Sequence, residues 1–465
     1  MQYWKLITTA ALSAALAACG GGNGSDSAAA GPTATSTESV GTVTGFGSVF
    51  VNGVEWETGQ ATFEIDDDAG SESDLKVGHI VRVSGSIAAD GSATADHIEY
   101  DAELEGPISA IDLGAGTVTV LGTIAAITDD TVFDDDSGVS SIADLSVGDF
   151  VEINGYPMSD GSILAVHLER ETDEGEVEIV GLIENLDTSA STFDINGQPV
   201  DYSGATLDDF EGVTIANDQY VEVEASSTLG PSGELVATKV ELEGGDLDDV
   251  DEFEIEGIIT AVNSNGTIVV AGLTINVGGG VEYENGTSAD IEVDVRVEVE
   301  GNVNSAGDLV ATEIEFKIPS SIEVEATVQD VNTSAGTLTV LGIEFGSMLT
   351  TQFEDDSEAA VTFFDLGDIS EGDWVSIYAY IDSNGDYIAT RVERDDPSDM
   401  VALEGPVDSV AGDQLVVMGV TVTTSSETEF DNGGLGAIQP GSIVEVDGVQ
   451  TGDTAITAFE VEIED

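Results

Sequence analysis

The sequence contains very little positive charge. Only 9 of its 465 residues are Lys or Arg, against 93 Asp and Glu, which gives a formal net charge of −84. A surface of this kind repels phosphate backbones and anionic lipid headgroups, so we expect no nucleic-acid partner. Hydrophobic residues still make up 41% of the chain, which is enough for packed cores and argues against a disordered acidic tail.

Cysteine is almost absent, since Cys19 is the only one and no disulfide within the chain can form. It follows Lys5 and an apolar run over residues 6–18, which is too short to span a bilayer and typical of a signal peptide. The tetrapeptide LAAC that ends at Cys19 resembles the bacterial lipobox, in which the cysteine is lipidated and becomes the new N-terminus. We therefore predict a lipoprotein signal peptide over residues 1–18, with Cys19 as the lipidation site and membrane contact through its lipid.

Residues 19–39 are rich in Gly, Ser, Thr and Ala and are predicted to form a flexible tether. Gly20 follows the cysteine where, in the enterobacterial sorting rule, an aspartate would favour retention in the inner membrane. The expected location is thus the cell envelope, as an outer-membrane lipoprotein that is periplasmic or surface-exposed.

Helical patterning is nearly absent, and one pattern of strands recurs six times. The residues AGTVTVLG from 115 return as AGTLTVLG from 335, as the second strand of two copies. Equivalent positions of the first strand are separated by 65 to 79 residues and are Gly41, Gly106, Gly181, Gly257, Ala326 and Gly405. A unit of about 70 residues is long enough for its own core, which predicts separate domains arranged as beads.

Segments of the form V-x-V-x-G alternate with period two, as in half-buried antiparallel strands. Because closure removes exposed strand edges, we predict an all-β tandem array of six small five-stranded OB-like barrels, with an SH3-like barrel or an open sandwich as alternatives. The predicted boundaries of the repeats are 40–100, 101–174, 175–249, 250–321, 322–400 and 401–465.

Two further motifs carry a family resemblance. Val147-Gly148-Asp149 begins a fourth strand, and residues 388–393 (IATRVE) form a last strand, in a pattern similar to the bacterial family catalogued as domain of unknown function 5666. The resemblance covers residues 40–465 and implies tandem extracytoplasmic β-domains. It brings no catalytic residues.

The three histidines are predicted to lie on the surface. His97 and His167 share a position of the last strand at which other copies carry Lys239, Glu313, Arg391 and Glu460. A position that accepts either charge is typical of a solvated face. His79 stands at the start of a strand and is interpreted in the same way.

One aromatic residue recurs in each copy, next to apolar positions. These residues are predicted to fill the cores rather than to form a stacking platform for sugars or bases. They are Phe63, Phe133, Tyr202, Tyr283, Phe353 and Phe430.

Acidic residues end the last strand of every copy and continue into the junctions between copies. The shared position is occupied by Glu99, Glu169, Glu241, Glu315, Glu393 and Glu462. Clustered carboxylates suit hard divalent cations such as Ca²⁺, the only cofactor that we consider, although a solubilising role explains them as well. The junction residues considered as metal ligands are Glu169, Glu171, Asp173, Asp246, Asp248, Asp249, Asp251, Asp395 and Asp396.

No nucleophile motif, P-loop or paired-cysteine signature is present, so we predict a protein that is not an enzyme. The interpretation is a noncatalytic, lipid-anchored envelope protein that serves as a binding, adhesion or spacer module, with an envelope glycan or protein as partner. The alternative is a carboxylate-based polysaccharide-active enzyme or an oligosaccharide-binding OB-like protein.

The charge predicts a response to salt. Like charges across strands destabilise the fold, and at molar salt the Debye length falls to about 3 Å. We expect the thermal midpoint to rise with NaCl and to rise further with millimolar Ca²⁺. A midpoint that stays constant between low and molar NaCl would contradict the first expectation, and equal effects of Mg²⁺, Ca²⁺ and matched ionic strength would contradict the second.

Overall fold

The computed structural model describes residues 34–134, 138–172, 175–210, 212–243, 250–361 and 363–463. This part of the chain contains 38 β-strands, two single-turn 3-10 helices at Glu72–Asp74 and Ile142–Asp144, and no α-helix. Among the described residues, no helix has the length and apolar character needed to cross a membrane. The prediction of an all-β protein built from repeated units is confirmed.

The strands of repeats one to three follow in chain order. Repeat one contains β1 (Thr35–Gly45), β2 (Val49–Val51), β3 (Val54–Glu57), β4 (Thr62–Ile65), β5 (Asp68–Gly70), β6 (Ile80–Ile87) and β7 (Ala93–Tyr100). Repeat two contains β8 (Leu104–Asp112), β9 (Thr117–Val120), β10 (Thr123–Ala126), β11 (Val132–Phe133), β12 (Phe150–Pro157) and β13 (Ile163–Glu171). Repeat three contains β14 (Glu176–Leu182), β15 (Glu184–Asp187), β16 (Thr192–Ile195), β17 (Gln198–Asp201), β18 (Thr206–Asp208), β19 (Tyr220–Ser226) and β20 (Leu235–Leu242).

Repeats four to six continue the same order. Repeat four contains β21 (Glu252–Val262), β22 (Thr267–Val270), β23 (Leu273–Asn276), β24 (Glu282–Glu284), β25 (Arg296–Val303) and β26 (Leu309–Phe316). Repeat five contains β27 (Ile322–Asn332), β28 (Thr337–Val340), β29 (Ile343–Gly346), β30 (Gln352–Asp355), β31 (Trp374–Ile381) and β32 (Tyr387–Asp395). Repeat six contains β33 (Val401–Ala411), β34 (Gln414–Val417), β35 (Val420–Thr423), β36 (Glu429–Asp431), β37 (Ile443–Gly452) and β38 (Ala455–Ile463).

Within a repeat, the paired strands form a closed circuit, in which the last pair again includes the first strand. In repeat two, β8 pairs with β9, β9 with β10, β10 in parallel with β13, β13 with β12, and β12 again with β8. Repeat five has the same pairs, from β27 through β28, β29, β32 and β31. In repeat three the first strand is interrupted at Ile183 between β14 and β15. Most inward positions are apolar and alternate with outward polar positions, as in the sequence prediction.

A two-residue turn explains why the two octapeptides are so similar. TVTV forms β9, and the Leu-Gly that follows forms the turn to β10, with φ of 47° at Leu121 and 90° at Gly122. Leu341 and Gly342 repeat this turn with φ of 51° and 79°. Positive φ at both residues matches the twist of a tight hairpin and favours glycine at the second position.

Each sheet extends over two repeats. In the first sheet β1 pairs in parallel with β21, so repeat one joins repeat four. In the second sheet β8 pairs with β14, and in the third β27 pairs with β33, both antiparallel. Repeats two and three share one apolar core, as do repeats five and six. The prediction of independent beads is therefore wrong, because pairing between repeats creates composite sheets and cores.

The predicted tether also ends earlier than expected. Residues 35–39 lie within the predicted 19–39 segment but form the beginning of β1. Their backbone pairs with β6 and with β21 of repeat four, and Ser39 is fully buried. Composition alone could not reveal these partner strands. β6 lies more than 40 residues away in the sequence, and β21 lies more than 200 residues away. The signal peptide and Cys19 lie outside the described residues.

Candidate functional site

The few cationic side chains lie where acidic strands approach one another. Seven of the nine Lys and Arg residues form ion pairs within the described part of the chain, namely Lys76, Arg82, Lys239, Arg296, Lys317, Arg391 and Arg394. Several of them bridge two repeats. The candidate functional site is therefore a set of interfaces between repeats rather than one cleft.

Lys76 joins repeat one to repeat two. Its ammonium donates hydrogen bonds to Asp134 and to Glu169. Burial acts to lower the pKa of Lys76, but these two carboxylates outweigh burial and leave the pKa raised. Lys76 thus stays charged and holds the two repeats together.

Lys239 has the same role between repeats three and one. It contacts Asp67 of repeat one and three glutamates of its own repeat, with 3.3 Å to Glu224 Oε1 and 3.9 Å to Glu222 Oε1. Only 14% of the Lys239 side chain is exposed. Its predicted position on a solvated face is wrong, because repeat one covers that face.

Arg391 joins repeat five to repeat two. It donates to the backbone oxygens of Thr131 at 2.9 Å and Asp129 at 3.1 Å, and its guanidinium lies 4.1 Å from the centre of the Tyr378 ring. Glu393 supplies the counter-charge at 3.2 Å. Arg391 is buried, so the prediction that it lies on a solvated face is wrong. Repeat two covers this face of repeat five.

The glutamate at the end of the last strand mostly serves as a partner for these cations. In five repeats it lies within 4 Å of a cationic nitrogen, through the pairs Glu99–Arg82, Glu169–Lys76, Glu241–Lys239, Glu315–Lys317 and Glu393–Arg391. In repeat six Glu462 accepts a hydrogen bond from Asn432 instead. The sequence predicted that this glutamate position is shared by all six repeats. In five of them the structure places a Lys or Arg side chain beside the glutamate.

Glutamates also face one another across paired strands. Glu178 is in register with Glu105 and with Glu224, and Glu404 with Glu323 and with Glu445. Such pairs are destabilising when both carboxylates are ionised. Contacts between repeats bury several of the outward glutamates, among them Glu178 and Glu222.

A cavity of about 320 Å³ lies where repeats one to four meet. Arg82 is the only Lys or Arg among its described lining residues, which include nine carboxylates: Glu38, Glu99, Asp101, Glu103, Asp209, Glu222, Glu241, Glu243 and Glu256. Burial raises the pKa of Asp101 to about 8 and that of Glu243 to about 7. These carboxyls therefore hold protons at a pH where exposed carboxyls have lost them.

Two of the three histidines are buried, which corrects the prediction that they lie on the surface. The His79 ring stacks on Tyr100 at 3.9 Å and meets His167 edge-on at 4.7 Å between centroids. Both nitrogens of His79 and Nδ1 of His167 have no hydrogen-bond partner. Burial lowers the pKa of His167 to about 3 and that of His79 well below its usual value. The interface between repeats one and two covers them, whereas His97 stays partly exposed.

The junction residues considered as metal ligands do not converge where the structure describes them. Glu169 binds Lys76, Asp251 accepts from Ser36, and Asp395 accepts from Ser376 at 2.8 Å. Asp396 accepts from the backbone of Glu358, and Glu171 ends β13. Asp173, Asp246, Asp248 and Asp249 lie outside the described residues. Among the described residues, three carboxylates approach closely in three other groups: Asp67–Glu222–Glu224, Glu254–Glu298–Glu300 and Glu354–Asp356–Glu393.

The recurring aromatic residues pack against the cores, as predicted. Phe63, Phe133, Tyr202, Tyr283, Phe353 and Phe430 are all partly buried against the apolar clusters of their repeats. They are not exposed as a platform.

Sequence reasoning missed the roles of Lys239, Arg391 and the histidine pair. The available signal was the scarcity of the cations themselves, since so acidic a chain retains Lys or Arg chiefly where acids are buried together. The partner repeat of each cation was not accessible from the sequence, because Lys239 of repeat three contacts repeat one and Arg391 of repeat five contacts repeat two, and neither pair of repeats is adjacent in the chain.

The family model described as "Domain of unknown function (DUF5666)" matches residues 39–99, 105–169, 180–241, 256–315, 325–393 and 404–462. No curated protein matches the chain. Among solved structures, a multidomain protein with nucleic acid binding domains from Streptococcus pneumoniae is 10% identical over 46% of this chain and 73% of that chain, with a TM-score of 0.11. A score this low carries no argument about fold or function.

Proposed function

The chain belongs to the family described as domain of unknown function (DUF5666), with six copies in tandem, and from this premise we propose a noncatalytic, lipid-anchored protein of the bacterial cell envelope. It acts as a binding, adhesion or spacer module. Cys19 carries the lipid, and the outer membrane is the proposed location.

Each copy is proposed to be a small five-stranded barrel of the OB-like type. Support comes from the order of strand pairs, in which the first strand contacts the second and fourth, and the third runs parallel to the fifth. The short strand that precedes the fourth, such as β11 in repeat two, lies beside the fifth strand. A barrel leaves its outer face free to contact other repeats.

The observation that carries the proposed function is the use of the scarce cations at contacts within and between repeats. Lys76, Lys239 and Arg391 each connect two repeats and leave few cations on the outside. The outer surface that remains is strongly anionic. Such a surface resists association with envelope polyanions and suits a spacer, or a binder of cationic or cation-bridged partners.

Metabolic labelling tests the anchor. A bacterial host that expresses the chain with an alkynyl fatty acid should label the parent protein and not the Cys19→Ser variant. The parent should fractionate with the outer membrane, and the variant should not. A labelled variant, or an unlabelled parent, contradicts the proposed anchor.

A second experiment separates binding from catalysis. The purified chain is incubated with envelope glycans and proteins, with and without a chelator, and both retained partners and released reducing ends are measured. We expect retention of a partner without release of reducing ends. Release that survives repurification favours the alternative of a carboxylate-based polysaccharide-active enzyme.

A further inference from the structure

The hairpin between β4 and β5 brings repeat one against the outer face of repeat three. Asp66 and Asp67 form its tip, with φ of 46° and 63°. The tip places Asp67 beside Lys239, and the Asp67 side chain remains 42% exposed. Asp67 of repeat one thus lies among glutamates of repeat three, and its own side chain is partly exposed to solvent.

Three carboxylates converge at this contact. Asp67, Glu222 and Glu224 each present an oxygen atom, and these oxygens lie within 4.8 Å of one another. Glu222 and Glu224 are two residues apart on β19, so both side chains leave the same face of the sheet. The burial of Glu222 reduces the hydration of this negative charge.

Glu178 is an independent observation that points to a ligand at this group. Its side chain is only 7% exposed, and its Oε1 atom has no hydrogen-bond partner. Glu178 is the cross-strand partner of Glu224, so it lies on the same face as Glu222 and Glu224. Burial raises the pKa of Glu178 well above its usual value, and among neighbouring charges Glu222 adds most to this rise. A buried carboxylate oxygen without a partner is costly unless another group satisfies it.

Lys239 alone does not satisfy the group. An ammonium has three hydrogens, and the closest oxygens belong to Asp67, Glu241 and Glu224. Glu222 is more distant at 3.9 Å, and no ion pair between Glu178 and Lys239 is formed within the described structure. Five carboxylates and one lysine leave a formal charge of −4 when all are ionised.

We propose that Asp67, Glu178, Glu222 and Glu224 form a binding site for a divalent cation, with Ca²⁺ as the preferred ion, at the interface of repeats one and three. These four residues are called the Asp67 cluster. All of its ligands are carboxylate oxygens, which hard cations prefer. Ca²⁺ accepts six to eight oxygens in variable geometry, which suits side chains from two strands and a turn better than the strict octahedron of Mg²⁺.

Equilibrium dialysis of the purified chain against CaCl₂ alone at pH 7 tests the site. Glu178→Gln and Glu222→Gln each remove a charged ligand, and we expect each variant to bind one Ca²⁺ fewer per chain, or that ion at least about tenfold more weakly. Glu445→Gln is the matched control, because Glu445 has the position of Glu222 in repeat six but belongs to none of the three-carboxylate groups in the described structure. It should bind as many ions as the parent.

Lys239→Met provides a readout with the opposite sign. It removes the competing positive charge, and we expect the Ca²⁺ affinity of the cluster to rise by about fivefold or more. A change that merely loosened the interface would weaken binding in all variants, so this variant remains informative if Glu222→Gln fails to fold. Unchanged binding in both glutamine variants, weaker binding in Lys239→Met, or equal retention of Mg²⁺ and Ca²⁺ would each overturn the proposal.

Discussion

The thermal midpoint of the chain should fall as the pH rises from 6.5 to 9. Burial in the cavity between repeats raises the pKa of Asp101 to about 8, and burial likewise raises the pKa of Glu152 to about 8. In the unfolded chain both carboxyls ionise near pH 4. Between about pH 4 and pH 8 the folded state therefore binds more protons than the unfolded state. The free energy of unfolding then decreases as the pH rises.

The size of this effect follows from the number of protons. Each such group lowers the free energy of unfolding by at most about 1.4 kcal/mol per pH unit. Asp101 and Glu152 together therefore lower it by up to about 3 kcal/mol per pH unit. For a chain of this length the midpoint then falls by about 3 °C per pH unit. His79 and His167 act in the opposite direction, but only below their unfolded pKa near 6.5, where acid charges the unfolded histidines first. The chosen range avoids their contribution.

Asp101→Asn should reduce the slope, because it removes one of the carboxyls that stay protonated in the folded chain. Asp330→Asn is the matched control, since it makes the same change of charge at an exposed position. Calorimetry or circular dichroism at several pH values provides the midpoints. A midpoint that is constant or rises between pH 6.5 and 9 would show that these carboxyls are not buried as described.

Tyr156→Ala should destabilise three repeats at once. Tyr156 belongs to repeat two, its hydroxyl lies 2.8 Å from Thr42 of repeat one, and Arg296 of repeat four lies over its ring at 4.9 Å. Its side chain is 2% exposed and packs with Val166 and Ile258. Removal of a buried aromatic ring costs about 3 to 5 kcal/mol, and Arg296 loses its contact with the ring in addition.

Native-state hydrogen exchange shows how far this loss extends. We expect faster exchange in β1, β12 and β25 of the Tyr156→Ala variant. Tyr202→Ala is the control, because Tyr202 packs on Phe193 within repeat three, and its effect should stay in the core that repeats two and three share. Faster exchange confined to repeat two in the Tyr156→Ala variant would mean that the contacts between repeats carry little energy.

The sequence predicted those features that are local to one repeat. The V-x-V-x-G segments are strands, and Phe63 and Phe353 pack against cores, because period-two alternation and burial act within about 70 residues. The Leu-Gly turn at residues 121–122 is equally local. Its positive φ values follow from the tight hairpin.

The sequence did not predict which outward faces are covered. His167, Lys239 and Arg391 share one position of the repeat, and all three are largely buried by contacts with another repeat. Such contacts depend on pairing across the chain, as between β1 and β21. A pattern within one repeat contains no information on this pairing. The independent beads, the end of the tether and the surface positions of His79 and His167 were therefore predicted incorrectly.

The six repeats join into one body through composite sheets and charged interfaces. Small-angle X-ray scattering of residues 34–465 at moderate salt distinguishes this body from six separate domains. For roughly 430 residues in one compact body the radius of gyration is ~22 Å, and six separate domains in a row give ~40 Å. We expect a radius of gyration near ~22 Å, and a value near ~40 Å would show that the repeats are separate domains.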